Sequence, residues 1–335
     1  MNLRDAFLHQ SEACLNLGSP FMARLMRLAD ERLQPGNTLT DTMFNWPRDA
    51  SSKSDAVPLR FAAGLHALFL TNRALVDVYP PEDVDDDTLW SAVETAISHH
   101  EAELLTWLET APQTNEVRRS AVILAALAEL HSVCDLPVEL YELGASAGLN
   151  LRADHFCLET GSVTLGSRKS SVVLRPEWSG TEPPTQLPNI VRRAGVDLSP
   201  IDPSSGDGQL RLLAFLWADQ GSRLEQTRAA IDIAKRVPAR VDAGDAADWL
   251  EAQLASNNSE HLKVVYHTVA EQYFPEETKA RVNAALANAN GPIARVSMEY
   301  DGGRGAAVSI SLSHSSFALT GRADFHGRWI EWNWT

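Results

Sequence analysis

The stretch YELGASAGLNLRAD at residues 141–154 combines an acidic residue, several small residues and two glycines directly after a short apolar run. Glycine at such a turn lets the backbone bend sharply and approach a ligand without a Cβ in the way. Backbone N–H groups at the start of a following helix would then face that ligand. The alternative is a structural strand-to-helix turn that binds nothing. The candidate cofactor-binding residues here are Glu142, Gly144, Ser146, Gly148 and Asn150.

The pattern E-x-G-x-S-x-G restricts the chemistry of such a ligand. A dinucleotide fingerprint would be G-x-G-x-x-G and a Walker loop would need G-K-[ST], and the stretch contains neither. Because a pyrophosphate cradle is missing, a ligand without phosphates is favoured. S-adenosylmethionine (SAM), a nucleoside that carries an amino acid and a sulfonium, fits this description. Glu142, at the end of the predicted strand, would order the loop or face the ammonium group of the ligand.

Length, charge and cysteine content narrow the class of protein. The chain has 335 residues, 44% of them hydrophobic, which is enough for two domains with a sizeable core. A net charge of −15 argues against a nucleic-acid partner, since an acidic chain repels phosphate backbones. Three widely spaced cysteines fit a reducing compartment. No residues have metal-ligand spacing, so no metal is predicted.

Neither a targeting signal nor a membrane span is predicted. The amino-terminal region carries charges throughout and is unlike a signal peptide. The best apolar run, residues 121–130, is too short to cross a bilayer. These features predict a cytoplasmic protein without a membrane partner.

The pattern of apolar residues changes near residue 135. Residues 1–135 show helical spacing and predict an all-helical domain, whereas 136–335 alternate short apolar strands with helices. This alternation predicts an α/β domain with a mostly parallel sheet, and we expect ligands outside the carboxyl ends of its strands. Residues 156–178 read as an inserted hairpin. Two consecutive strands at 306–317 and 326–334 predict an antiparallel pair at the end of the chain.

Several motifs resemble those of a bacterial family, domain of unknown function 2332 (DUF2332). They are spread over most of the chain: QTNEVRRSA (113–121), YELGASAGLNLRAD (141–154), GVDLSPID (195–202), FLWADQGSRL (215–224), VVYHTVAEQYF (264–274) and the EW near the end. The core of the family resembles class I SAM-dependent methyltransferases, with a Rossmann-like sheet that ends in an antiparallel pair. The resemblance implies a fold and SAM as cofactor, but no substrate.

The resemblance also suggests which acidic residues would hold the nucleoside. Asp197, at the carboxyl end of the second core strand, is the candidate for the ribose hydroxyls, and Asp202 is its rival. Asp245, which precedes a helix, is the candidate for the adenine amino group. A turn aspartate or a helix cap is the alternative role at these positions.

The fourth core strand carries the candidate acceptor site. His267 would serve as general base, because its reference pKa lies near neutrality, although a structural histidine is the alternative. Alignment of the methyl donor with its acceptor would supply most of the rate. Further pocket candidates are Tyr266, Gln272 and Tyr273 after this strand, and Asn115, Glu116 and Arg119, which would otherwise form a capped helix start.

The resulting functional hypothesis is a SAM-dependent methyltransferase that acts on a small molecule. One alternative is a non-catalytic ligand-binding or scaffold protein that retains the methyltransferase shell, which Ser146 in place of the usual middle glycine favours. Another nucleoside-dependent enzyme, such as an NAD user, is disfavoured by the missing G-x-G-x-x-G. The helical amino-terminal third would close over the pocket or form a homodimer interface.

Overall fold

The computed structural model describes residues 1–255, 260–313 and 318–333. Contacts within the chain define two units, the first made of Met1–Thr114 and Ser205–Glu225 and the second of Asn115–Ser204 and Gln226–Thr335. This grouping differs from a division near residue 135, because residues 115–135 lie with the sheet and 205–225 with the first unit. Whether either part folds as an independent domain stays a prediction.

The first unit is built from helices whose apolar faces form its core. In α4, Phe61, Leu65 and Leu68 recur at helical spacing and are all buried. Asp85 caps α5 by accepting a hydrogen bond from the backbone N–H of Thr88. The helices of this unit are α1 (Leu3–Asn16), α2 (Pro20–Arg32), α3 (Thr38–Phe44), α4 (Val57–Leu70), α5 (Asp86–Glu109) and α7 (Gly206–Ala214).

In the described part of the chain, the second unit contains a mixed sheet of nine strands, and helices precede or connect several of these strands along the sequence. Its helices are α6 (Ser120–Val133), α9 (Ala246–Leu254) and α10 (Glu276–Ala287), and α8 (Gly221–Ala234) crosses the division between the units. The strands, in spatial order, are β5 (Glu177–Gly180), β12 (Trp329–Asn333), β11 (Ala318–Ala323), β10 (Ala306–Leu312), β9 (Ile293–Glu299), β8 (Leu262–Thr268), β1 (Val138–Leu143), β6 (Ile190–Asp197) and β7 (Arg240–Ala243).

Five of these strands form a continuous parallel block, β7-β6-β1-β8-β9. The strand order reverses at β1, because β6 and β7 lie on one side of it and β8 and β9 on the other. All six residues of β1 are buried, as expected for a strand in the centre of a covered parallel sheet. Ligands in such sheets bind outside the carboxyl ends of the strands near this reversal.

The carboxyl-terminal part of the sheet is more extensive than predicted. Strands β9 to β12 form an antiparallel meander, and β5 pairs parallel to β12 at the edge. Strand β11 was not predicted, because ALTGRA lacks a clear apolar alternation, and it lies between the two strands that were expected to pair. The predicted strands 306–317 and 326–334 also include residues 314–317 and 334, which lie outside the described residues.

A small second sheet follows the glycine-containing turn. Its strands β2 (Cys157–Glu159) and β3 (Thr164–Gly166) form an antiparallel hairpin, and β4 (Val173–Leu174) pairs parallel to β2. This hairpin lies inside the range of the predicted insertion. In the described ranges, no helix combines the length and the apolar composition that a bilayer span requires.

Candidate functional site

The carboxyl end of β1 carries a buried acid, Glu142, beside a buried tyrosine, Tyr266. Glu142 is paired with Gly195 of β6 on one side and with Tyr266 of β8 on the other. Its side chain is 2% exposed, and burial raises its pKa from 4.5 to about 8. The Glu142 carboxyl and the Tyr266 hydroxyl interact with each other, and this contact lowers the pKa of Glu142 and raises that of Tyr266. The contact falls short of good hydrogen-bond geometry, and Oε2 of Glu142 and the hydroxyl have no other partner among the described residues, so both groups retain hydrogen-bonding capacity for a ligand.

The charges around Glu142 partly oppose the effect of burial. Arg152 and Arg119 favour the ionised carboxylate and lower its pKa, whereas Asp197 raises it. Burial also raises the pKa of Tyr266 well above its ordinary value, and the nearby Glu142 adds to this effect. Near pH 7 the site therefore holds a neutral phenol beside a carboxyl group that is largely protonated.

Arg152 connects this acid to the glycine-containing turn. Its side chain is buried and donates hydrogen bonds to the carbonyl oxygens of Gly148 at 2.5 Å and Val237 at 3.0 Å. Burial lowers the pKa of Arg152, and the charge of Glu142 opposes this shift. The guanidinium thus stabilises the turn and supplies a buried positive charge that acts on Glu142.

The glycines of the turn make room for other parts of the protein. Gly144 has φ +73° and Gly148 has φ +65°, in the left-handed region. A Cβ on Gly144 would lie 2.6 Å from the Cβ of Ala270, and one on Gly148 would lie 2.8 Å from Cγ2 of Val241. Ser146 also has a positive φ of 52°, and its buried hydroxyl has no partner among the described residues. Both glycines are therefore required by close packing.

Most backbone N–H groups of the turn donate to protein atoms. The N–H groups of Gly144 and Ala145 donate to the carbonyl oxygen of Val196 at 2.9 and 3.0 Å, and that of Ser146 donates to Oδ2 of Asp197 at 2.8 Å. The N–H of Gly148 donates to the carbonyl oxygen of Ala145 at 2.6 Å, and that of Leu149 donates to Oδ1 of Asn115 at 2.8 Å. Amides engaged in this way cannot cradle a phosphate. The chain then continues as a 3₁₀ segment, Leu149–His155, where an α-helix was expected.

The segment that precedes α6 contacts this turn, which joins two motifs found separately in the sequence. Asn150 donates to the carbonyl oxygen of Glu116 at 3.3 Å and accepts from the hydroxyl of Ser120 at 2.7 Å. Arg119 donates to the carbonyl oxygens of Thr268 and Phe325, both at 2.9 Å. Asn115, Glu116 and Arg119 thus lie at the carboxyl end of the sheet and order it, while contact with a ligand stays a prediction.

Asp197 and Asp202 both stabilise turns after β6. Asp197 accepts from the backbone N–H groups of Ser146 at 2.8 Å and Ser199 at 2.9 Å, so it ties β6 to the glycine-containing turn. Asp202 is exposed and accepts from the N–H and hydroxyl of Ser204. Of the two, Asp197 lies nearer to Glu142, and its role toward ribose stays a prediction.

Asp245 caps α9. Its Oδ1 accepts from the backbone N–H groups of Ala247 at 2.8 Å and Asp248 at 3.2 Å, and its Oδ2 accepts from the hydroxyl of Thr278 at 2.8 Å. Burial raises the pKa of Asp245, but the hydrogen bonds outweigh it and hold the pKa below its ordinary value. The cap is a sufficient structural reason for this residue, and an adenine contact stays a prediction.

His267 lies within a charged network on the other face of β8. Its Nδ1 is 2.8 Å from Oε1 of Glu299, and its Nε2 accepts from Nε and Nη2 of Arg295 at 3.1 and 2.9 Å. Because Nε2 is an acceptor here, the proton is assigned to Nδ1. The ring is 1% exposed, so both nitrogens are engaged inside the protein, and a catalytic role stays a prediction.

Gln272 and Tyr273 lie on the 3₁₀ segment Glu271–Tyr273, which follows β8. Both are exposed, and the Tyr273 side chain retains 76% of its accessible surface. Contact of these two residues with a ligand stays a prediction. No group of three or more histidine, cysteine or carboxylate side chains in the described ranges could hold a metal ion.

Three residues of the site were missed in the sequence. Arg152 belongs to the quoted motif, but nothing in its spacing shows that its guanidinium turns back to Gly148. Glu299 and Arg295 lie on β9, and they face His267 only because of the pairing between β8 and β9. The sequence did contain one indication of this grouping. Side chains alternate between the two faces of a strand, so residues 295, 297 and 299 of the predicted strand lie on one face.

Comparison with known proteins identifies a family. The family model described as "Uncharacterized protein conserved in bacteria (DUF2332)" matches residues 4–332. Neither a curated protein nor a solved structure matches the chain.

Proposed function

The chain belongs to the bacterial family DUF2332, and we propose that it is a SAM-dependent methyltransferase acting on a small-molecule acceptor. The observation that carries the proposal is the buried Glu142 carboxyl at the end of the central strand, which contacts the buried Tyr266 hydroxyl, with no other hydrogen-bond partner for Oε2 or the hydroxyl among the described residues. A class I methyltransferase-like core is supported by the parallel block with its reversal at β1 and the turn that follows.

The residues at the turn fit the groups that SAM presents. The ammonium of its amino-acid part is a hydrogen-bond donor with a positive charge, which would pair with the ionised form of Glu142. The engaged amides of the turn exclude a phosphate cradle, and SAM contains no phosphate. Ser146 adds a buried hydroxyl without a partner among the described residues, and the Tyr266 hydroxyl contacts Glu142. Together they favour a phosphate-free, cationic ligand over a dinucleotide.

Bound SAM would supply a methyl group on a sulfonium, which needs little covalent assistance. The residues of this chain would then act by binding and orientation. Glu142 would fix the ammonium, Tyr266 would donate a hydrogen bond from a phenol that stays neutral, and Arg152 would hold the turn in place. Alignment of this kind contributes rate by removing translational and rotational freedom from the reacting pair.

A ligand-binding protein without turnover is the second candidate function. The observation in its favour is His267, the predicted base, whose two ring nitrogens are engaged by Glu299 and Arg295. Under this alternative the site around Glu142 binds the same ligand. The two candidates differ in turnover and agree in binding.

Isothermal titration with S-adenosylhomocysteine (SAH) and SAM tests the proposal. We expect binding with a Kd of about 10 μM, which corresponds to about −7 kcal/mol. No heat at millimolar ligand, at several temperatures, would exclude the cofactor for both candidates. If SAM binds, transfer of an isotopically labelled methyl group across a panel of small-molecule acceptors separates the enzyme from the binding protein.

Replacing Asp245 by serine separates its two suggested roles. Serine caps helices about as well as aspartate, so α9 is expected to lose only about 1 kcal/mol, mainly from the lost bond to Thr278. If Asp245 also contacts adenine, the variant binds SAH at least about tenfold more weakly by calorimetry. If the Kd for SAH is unchanged and the melting temperature falls only slightly, Asp245 acts as a helix cap and does not contact adenine.

A further inference from the structure

The segment that follows β8 covers the glycine-containing turn. We call residues 269–274 the cover segment. A Cβ on Gly144 would come within 2.6 Å of the Cβ of Ala270 and 4.0 Å of Cε1 of Phe274. The cover segment therefore packs directly on the backbone of Gly144, two residues beyond Glu142. A ligand that reaches Glu142 over this part of the turn must displace it.

Charged hydrogen bonds from β9 hold the cover segment in this position. Oε1 of Glu299 accepts from the backbone N–H groups of Ala270 at 3.0 Å and Glu271 at 3.1 Å, as well as from His267. The side chain of Glu271 is paired with Arg295 at 2.6 Å. Burial raises the pKa of Glu299, but its hydrogen bonds outweigh this and keep the pKa below its ordinary value. Glu299 is thus an ionised acceptor for two adjacent amides.

Apolar packing holds the cover segment mainly at its end. Phe274 is half-buried and packs against the hydrophobic core of the sheet, whereas no residue of the 3₁₀ segment Glu271–Tyr273 is buried. Val269, where the cover segment begins, has φ +54°, a left-handed conformation that is strained for a β-branched side chain. Strain of this kind costs about 1–3 kcal/mol and is relieved if the segment moves. Few apolar contacts before Phe274, together with a strained junction at Val269, are typical of a segment that opens locally.

We propose that the cover segment is a gate over the ligand site, with Val269 as its hinge and Glu299 as the positioning residue that holds it closed. The identity of the ligand rests on the proposed function, whereas the opening itself does not. Opening exchanges the two amide bonds to Glu299, the Glu271–Arg295 pair and the packing of Ala270 and Phe274 near Gly144 for solvent. Release of strain at Val269 offsets part of that cost.

Hydrogen exchange of the ligand-free protein tests the opening. In the wild type, the amides of Ala270 and Glu271 are expected to exchange much faster than those of Val264 and Tyr266 in β8. Glu299→Ala should accelerate exchange of the Ala270 and Glu271 amides about 10- to 100-fold, because two charged hydrogen bonds are lost, and should affect Val264 of β8 far less, although His267 of β8 also loses its partner. In Glu299→Gln, which keeps an acceptor oxygen, the exchange rate of these amides should lie between the rates in the wild type and in Glu299→Ala. Exposed Glu277 provides the control Glu277→Ala, with no expected change.

A second set of variants tests the contact itself and does not depend on Glu299. Gly144→Ala should open the cover segment, since its Cβ overlaps that of Ala270, and Gly144→Ala with Ala270→Gly should restore protection. A cycle over the four proteins removes the strain that alanine suffers at this φ. The gate would be overturned if the amides of the cover segment in the wild type exchanged only when those of β8 exchange. It would also be overturned if the effects of Gly144→Ala and Ala270→Gly on exchange were additive.

The ligand adds a readout that keeps the two proposals apart. If SAH binds, its association rate should rise in Glu299→Ala, and saturating SAH should change exchange of the cover segment. Equal association rates in the two proteins would refute a gate over this ligand site. If SAH does not bind but hydrogen exchange follows the expected pattern, the cofactor proposal is wrong and the local opening of the cover segment is still supported.

Discussion

Glu142→Gln is expected to weaken SAH binding about 100-fold without unfolding the protein. The substitution keeps the size of the side chain and removes the negative charge that would pair with the ligand ammonium. Loss of one partner of a buried charged pair costs about 2–5 kcal/mol of binding free energy, and ~3 kcal/mol gives this factor. Calorimetry on the purified variant measures it.

The same substitution is expected to change how stability depends on pH. In the folded protein the pKa of Glu142 is about 8, against an ordinary 4.5, so the folded state keeps a proton that the unfolded state releases between these values. Stability then falls as pH rises from about 4.5 to 8, by about 1.4 kcal/mol per pH unit from this group. In urea unfolding, Glu142→Gln should lack that contribution and match or exceed the wild type at pH 8.

Ligand binding should depend on pH for the same reason. An ammonium pairs with the ionised form of Glu142, and the ionised fraction rises about tenfold per pH unit below the pKa. SAH affinity in the wild type is therefore expected to increase about tenfold between pH 6 and 7. A flat profile with normal affinity would show that Glu142 does not face the ligand charge.

Glu139 provides a matched control on the same strand. It is also a buried glutamate of β1, but its oxygens are paired with Nδ1 of His261 at 2.9 Å and the hydroxyl of Tyr141 at 2.5 Å. Glu139→Gln should lose stability, by about 1–3 kcal/mol, and retain SAH binding. If Glu139→Gln weakens SAH binding as much as Glu142→Gln does, the loss of binding in Glu142→Gln reflects a disturbed strand β1 and not a lost contact with the ligand.

Arg152→Met is expected to lower the free energy of unfolding by about 3 kcal/mol and to raise the pKa of Glu142 above 8. The substitution removes a buried cation near Glu142 and leaves the carbonyl oxygens of Gly148 and Val237 without their donor. Carbon-13 NMR of labelled glutamate carboxyls follows the pKa, and urea unfolding at pH 6 and 8 follows the stability.

Combining the substitutions tests whether Arg152 acts through Glu142. In a double-mutant cycle at pH 8, Arg152→Met should cost at least about 1 kcal/mol less in the Glu142→Gln background. Arg193→Met is the control, because Arg193 is paired with Asp154 and should not move the Glu142 titration. Additive costs would mean that Arg152 only supports the turn.

The predictability of the site depends on how far apart its contacting residues lie in sequence. The turn was found because its signal is local, with glycines and an acid directly after an apolar strand. The helices of the first unit were found because burial repeats at their own period, as at Phe61, Leu65 and Leu68 in α4. Strand β11 was missed, since its short polar sequence forms a strand only through its neighbours.

The sequence by itself determined an α/β protein of this family, with a glycine-containing turn unsuited to phosphate after its first strand. These properties depend on residue order over short distances. Only the tertiary structure decided that Asn115 binds Leu149, that Asp197 binds Ser146 across 51 residues, and that His267 faces Glu299. It also decided the protonation of Glu142, because the free energy of a buried charge is set by everything that surrounds it.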